Sequence, residues 1–220
     1  MNKTTIFQKL LNTESEVIKL LNIIFALKTT DIKKYGENYE QLSVDAALRA
    51  ERIACQLRNL VHITDFTGKS TYLLQAAEAL NIQITYGRGI LSITLPGLLP
   101  KRKLHTNTAF LHDPLHYALK DYICSHKIEP YKECVICFQQ VYNRELSLHR
   151  VRDYDNIEFK LILDIIASYV LLDDTSLYCD TYHTIDFGNT DQTVIYIMEP
   201  SVFPCWLSAN KPEKNISENL

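Results

Sequence analysis

Near Ile82 the hydrophobic period of this chain changes from that of a helix to that of a strand, and the change limits the folds open to it. Before it, Val17, Leu20, Leu21, Ile24 and Leu27 follow at helical spacing, and Ile53, Leu57, Leu60 and Val61 form a second stripe. Thr13-Glu14-Ser15-Glu16 has the pattern of a capping box, which predicts the start of the first helix. Gly36 and Asn38 end that helix, a second spans about Ser43 to Val61, and a short third spans about Ser70 to Leu80. After Ile82, "ILSITLP" (90–96) alternates and is rich in β-branched residues, which predicts a strand. "ECVICFQQVY" (133–142), "SLYCDTYHTI" (176–185) and "QTVIYIME" (192–199) predict three more. Gly188-Asn189 signals a hairpin between the last two. Asp113-Pro114 predicts a helix to about Lys127 with proline in its first turn, and Asn156 to about Tyr169 predicts another.

The expected fold class is therefore α+β: a β-α-β-α-β-β domain preceded by a small helical N-terminal region. The expected domains are 1–81, 82–200 and a loose polar tail, 201–220. The chain has 220 residues and a hydrophobic share of 46%, enough for one sizeable core. No run of eighteen apolar residues occurs, so no membrane span is expected. The first residues lack a signal-peptide pattern, and the six irregularly spaced cysteines read as reduced thiols. Both point to a cytoplasmic protein. The net charge is −3, and residues 84–200 carry eleven Lys/Arg against fifteen Asp/Glu. A plain phosphate-backbone binder is basic, so this balance requires cations at a cluster of carboxylates if nucleic acid is the partner.

Such a cluster exists in "RVRDYDN" (150–156) and "LLDD" (171–174). Asp153 and Asp155, two apart, put both carboxylates on one side of an extended backbone. Their repulsion is relieved by a hard divalent cation, and Mg²⁺ takes one or two carboxylates plus phosphate oxygens. Arg150 and Arg152 flank the pair and suit phosphate. The plainer reading is helix capping by Asp155 or Asn156, with Asp153 favoured by the helix dipole and Asp173-Asp174 forming a turn.

The pattern "RDYDN", a helix, then "LLDD" resembles the core of the RusA family of Holliday junction resolvases, over about residues 84–200. "LSITLP" (91–96) is similar to that family's first strand with its closing proline. The resemblance implies a Mg²⁺-dependent homodimeric endonuclease, with Mn²⁺ as a possible substitute, that nicks branched DNA. It implies metal-binding and catalytic roles for Asp153, Asp155 and Asp174, and DNA contacts for Arg152 and Asn156. Such enzymes often belong to phages and mobile elements. The family's catalytic lysine falls at Phe159, and the adjacent Lys160 is about 100° away on a helix. Asn156, Lys160, Asp164 and Ser168 recur every four residues, which would bring Lys160 onto the face of Asn156 or leave a plain solvent face. An unbroken helix would also carry Asp174 far from Asp153, so the helix must stop early or a second subunit must complete the site. A catalytically inactive relative that binds DNA or protein is the alternative.

Weaker signals surround this site. Lys101, Arg102 and Lys103 make the most basic stretch, read as a loop touching DNA phosphate or as an ordinary solvated loop. "TGKST" (67–71) lacks the earlier glycine of a phosphate-binding loop, so no nucleotide cofactor is expected. Cys134 and Cys137 lie in one strand, where their spacing points them to opposite faces, against zinc. His112 and His116 have metal-binding spacing but no third ligand.

Overall fold

A computed structural model describes residues 3–64, 69–99, 109–173, 175 and 177–210. The chain divides into two compact units, Met1–Lys69 and Ser70–Leu220.

The first unit is a pair of long helices, α1 (Lys3–Thr29) and α2 (Gly36–Thr64). Their antiparallel packing follows from the short connection and from the ion pair of Arg49 with Glu16 at 2.9 Å. The expected capping box does not start α1. The helix is already running at Thr13, whose hydroxyl donates to the Lys9 carbonyl at 3.0 Å. Glu16 is drawn to Lys19 and Arg49 instead, which hold its carboxyl below the usual range. Gly36 opens α2 rather than ending α1, and Glu37 in its first turn suits the positive end of the helix dipole.

The second unit begins with α3 (Lys69–Ala79), which groups with the sheet rather than with the first two helices. A five-stranded sheet follows, built from β1 (Gln83–Gly87), β2 (Ile90–Leu95), β3 (Cys134–Asn143), β4 (Cys179–Gly188) and β5 (Gln192–Met198). Its order is β1-β2-β5-β3-β4, antiparallel except for β3 and β4. Arg88 and Gly89, at φ 54° and 77°, make the two-residue turn between β1 and β2, with both central residues left-handed as such a hairpin needs.

The expected hairpin at Gly188-Asn189 is not formed. β4 and β5 lie on either side of β3, and residues 188–191 cross over its end. There Arg144 N–H donates to the Gly188 carbonyl at 3.0 Å, and Asn143 N–H to Asp191 Oδ1 at 2.8 Å. A Cβ on Gly188 would stand 2.9 Å from Val141 Cγ1, so a side chain there would force Val141 to move. The physical reason is burial. β5 hides Val194, Ile195, Ile197 and Met198, on both of its faces, and needs neighbours on both sides, whereas β4 exposes Asp180 and Thr181 and suits an edge.

One sheet face carries Leu91, Ile93, Leu95, Ile136, Phe138, Ile195 and Ile197. It is covered by α4 (Ala109–His126) through Leu111, Leu115 and Leu119, and by α5 (Lys160–Val170) through Ile162, Ile165 and Ile166. Pro114 lies inside α4, not in its first turn. The other face carries Cys137 and Met198 beneath Trp206 of α6 (Phe203–Ala209). The expected loose tail is thus helical at 203–209, because Trp206, Phe203 and Leu207 give it an apolar side to bury. Residues 211–220 lie outside the described residues.

α5 starts four residues later than the sequence predicts. Tyr154–Asn156 form a separate 3₁₀ turn, and Ile157 leaves it extended (φ −95°, ψ 133°) and buries itself in the core. Asn156 is therefore not on the helix, and the four-residue stripe is only Lys160, Asp164 and Ser168. At its other end α5 is tied to the chain just before β3. Tyr131 N–H donates to the Val170 carbonyl at 2.8 Å, and Leu172 N–H donates to the Tyr131 carbonyl at 3.2 Å. No helix among the described residues is long and apolar enough to cross a membrane.

Candidate functional site

Beyond the C-terminal end of β3 lies a pocket of about 500 Å³ lined by Leu98, His149, Arg150, Val151, Arg152, Asp153 and Asn156. The loop after β2 contributes Leu98 to the lining. Leu99 N–H donates to Gln140 Oε1 and to Thr193 Oγ1, each at 3.2 Å, and the Thr193 hydroxyl donates to the Gly97 carbonyl at 2.9 Å. Gln140 and Thr193 are buried, so this loop is held from inside the sheet. The fixed Leu99 carbonyl in turn accepts a hydrogen bond from Arg152 Nη1. Arg152 N–H also donates to the Tyr142 hydroxyl at 3.2 Å.

Arg150 is held by a different element. Its Nη1 and Nη2 reach Asp191 Oδ2 and Oδ1 at 2.6 and 3.0 Å. This pairing keeps the Asp191 carboxyl below the ordinary carboxylate range; burial opposes the shift, and the Asn143 N–H and Arg152 reinforce it. It also pushes the Arg150 guanidinium up. Two cations two residues apart are thus anchored independently, one to the β4–β5 crossing and one to the β2 loop.

The acidic pair is not doing capping work. Asp153 precedes the 3₁₀ turn, but its side chain makes no cap hydrogen bond; only its carbonyl receives the Asn156 N–H, at 3.1 Å. Asp153 and Asp155 are exposed, and neither carboxylate has a partner among the described residues. Asp153 lines the pocket; Asp155 does not.

The remaining expected residues are dispersed. Phe159 precedes α5 and faces inward, its ring 5.5 Å from that of Phe138 and 4.9 Å from that of His183. Lys160 is exposed at the first position of α5. Asp173 accepts the Thr175 N–H at 2.9 Å, in the turn beyond Leu172. That turn is fastened to Tyr131, at the N-terminal end of β3, whereas Asp153 lies past its C-terminal end. A ten-residue strand separates the two, roughly 33 Å. α5 neither stops early nor doubles back, so one chain does not bring Asp173 to Asp153. Asp174, Lys101, Arg102 and Lys103 lie outside the described residues.

Among the described residues no group of three or more His, Cys, Asp or Glu side chains is arranged to hold a metal ion. His116 pairs with the Tyr169 hydroxyl at 2.8 Å, and His112 with Asp113 at 3.0 Å. Cys134 and Cys137 belong to opposite faces of the sheet. Asp191, Gln140, Thr193 and His149 escape a sequence reading. Asp191 is hidden inside a turn signal, and the other three carry no motif of their own.

No curated protein matches the chain. A sequence family does match, over residues 2–220, and the chain belongs to it: the Family of unknown function (DUF6100).

Proposed function

We propose that the pocket beyond β3 binds a phosphodiester of the DNA backbone, with Arg150 and Arg152 as its cationic donors. The observation that carries this reading is that two guanidinium groups, anchored to two different parts of the sheet, line one pocket with His149 and Asn156. Guanidinium groups match phosphate oxygens in geometry as well as charge. Branched DNA is the partner the RusA resemblance suggests. Asp191 and Asp153 balance the two arginines locally, so affinity depends on further cations. Lys101, Arg102 and Lys103 follow Leu99 within four residues in sequence and are the candidates for that role.

A second reading adds hydrolysis, and one observation favours it: the Asp153 and Asp155 carboxylates have no partner among the described residues. Asp153 lines the pocket and would supply one carboxylate to a Mg²⁺ shared with a phosphate oxygen, since this ion is content with one or two carboxylates plus substrate and water; Asp155, on the 3₁₀ turn, does not line the pocket. This donor set does not fit an ion held wholly by this chain's described residues. A bound Mg²⁺ or Mn²⁺ would supply Lewis-acid activation of water. Arg150 and Arg152 would then orient the phosphate; Lys160, exposed at the start of α5, does not line the pocket.

The two readings separate in one experiment. A labelled four-way junction and a linear duplex are incubated with wild type, Asp153→Asn and Asp155→Asn, with Mg²⁺, Mn²⁺ or chelator. Junction binding without nicking under any metal supports the binding reading. Metal-dependent nicking that both substitutions abolish supports hydrolysis. No binding of either DNA contradicts both.

A further inference from the structure

We infer that the outer face of α1 is a self-association surface, against which α1 of a second copy packs antiparallel. The inference is independent of the pocket, which belongs to the other unit.

α1 is apolar on two sides. Leu20, Ile23, Ala26 and Leu27 are half-buried on the side that carries Glu16 toward Arg49 of α2. Phe7, Leu10, Leu11, Val17, Ile18, Leu21, Ile24 and Phe25 are exposed, Leu21 by 64% and Phe25 by 68%. At about 100° per residue these eight fall within an arc of roughly 140°, centred well away from α2. Leu11, Ile18 and Phe25 recur every seven residues, as do Leu10, Val17 and Ile24. That repeat keeps one stripe facing one straight partner helix. A helix with apolar residues on two sides is covered on both inside a bundle, and a two-helix unit supplies a partner for only one of them.

The size and charge of the stripe identify a second copy. The eight side chains expose on the order of 900 Å², against about 800 Å² that each partner contributes to a standard interface. Between Phe7 and Lys28, two charges lie on the stripe, Glu14 and Lys28, both exposed and without an ion-pair partner among the described residues. Parallel pairing in register would set like charges side by side. Antiparallel pairing about Leu21 sets Glu14 of each copy against Lys28 of the other. The same register faces Leu21 with its own copy, Val17 with Phe25, and Ile18 with Ile24. Phe7 and Leu10 then extend toward Tyr35 and Ile32 of the second copy, which are themselves 51% and 58% exposed. A surface that satisfies its own apolar and charged groups under one two-fold axis is isologous.

The test is sedimentation equilibrium of the full chain, wild type beside Leu21→Glu, Glu14→Lys, Lys28→Glu and the double Glu14→Lys/Lys28→Glu. Circular dichroism checks that each stays folded. Leu21 is exposed, so its replacement spares the isolated hairpin. The expected result is a wild-type dimer, a monomeric Leu21→Glu and single charge variants weakened about tenfold, since two ion pairs are lost per dimer. The double variant regains wild-type affinity. A wild-type chain that stays monomeric, including one that remains so while binding vesicles, overturns the inference. So does a dimer that Leu21→Glu leaves unchanged. Failure of the double variant to recover overturns the antiparallel register.

Discussion

Arg150 meets Asp191 through two parallel hydrogen bonds, of 2.6 and 3.0 Å, and so ties the segment after β3 to the crossing between β4 and β5. The crossing exists because β5 takes the central place that its two apolar faces require. The cationic lining of the pocket is therefore a consequence of strand order.

Replacing Asp191 with Asn should lower stability at neutral pH by about 1–2 kcal/mol, the range for a charge-assisted hydrogen bond. The folded-state pKa of Asp191 is depressed, so its contribution is present above the ordinary carboxylate value and is lost as pH falls through the folded value. Urea denaturation at pH 7 and pH 3 checks this. The gap between wild type and Asp191→Asn should narrow at the lower pH.

His183 is packed among Phe138, Phe159 and Tyr154, and burial lowers its pKa below the ordinary 6.5. The unfolded chain takes up this proton first, so stability should fall as pH drops through 6.5 toward the folded value. His183→Phe should remove that component. Thermal melts of both proteins from pH 7.5 to 5 should diverge below pH 6.5 if the ring is neutral in the folded state.

Phe159→Lys places a lysine where the resolvase family has one. Because Phe159 packs inward on Phe138 and His183, the change should cost about 3 kcal/mol and create no nuclease activity. Denaturant titration and a nicking assay read the two effects. Gain of cleavage without loss of stability would show that position 159 faces the site instead.

Trp206 is the sole tryptophan and is 5% exposed, holding α6 to the sheet beside Tyr196 and Phe203. Leu207→Asp should loosen α6, seen as a red shift and easier quenching of Trp206 emission. Trp206→Ala should destabilise the unit by about 3 kcal/mol.

Much of this fold was legible in the residues. β2, β3 and β5 announce themselves by β-branched, apolar runs, and α3 and α4 by helical period. β1 was not, although Ile82, Ile84 and Tyr86 alternate with Gln83 and Thr85, because the run is short and, on an edge strand, only Ile84 within it is half-buried. Strand order was hidden for a different reason. Gly188-Asn189 is the local chemistry of a hairpin, but pairing is decided by which strands must be covered on both sides. The start of α5 was misread because burial of Ile157 overrides a helical period that continues through Asn156. At the site, the arginines and Asp153 were readable as a charged cluster, while their anchors, Asp191 and the buried Gln140 and Thr193, come together only through the tertiary fold. The sequence pairing of Asp153 with Asp173-Asp174 reflected the chain's order rather than distance, since α5 carries Asp173 to the opposite end of the sheet.

The most direct test of the phosphodiester pocket is the salt dependence of four-way-junction binding, by fluorescence anisotropy, for wild type, Arg152→Gln and Arg152→Lys. The lysine variant keeps the charge and controls for the bond to the Leu99 carbonyl. Loss of one phosphate contact should lower the slope of log K against log salt by about 1 in Arg152→Gln and leave it nearly unchanged in Arg152→Lys. Equal affinity and equal slope for wild type and Arg152→Gln would contradict the account and place any DNA contact elsewhere on the molecule.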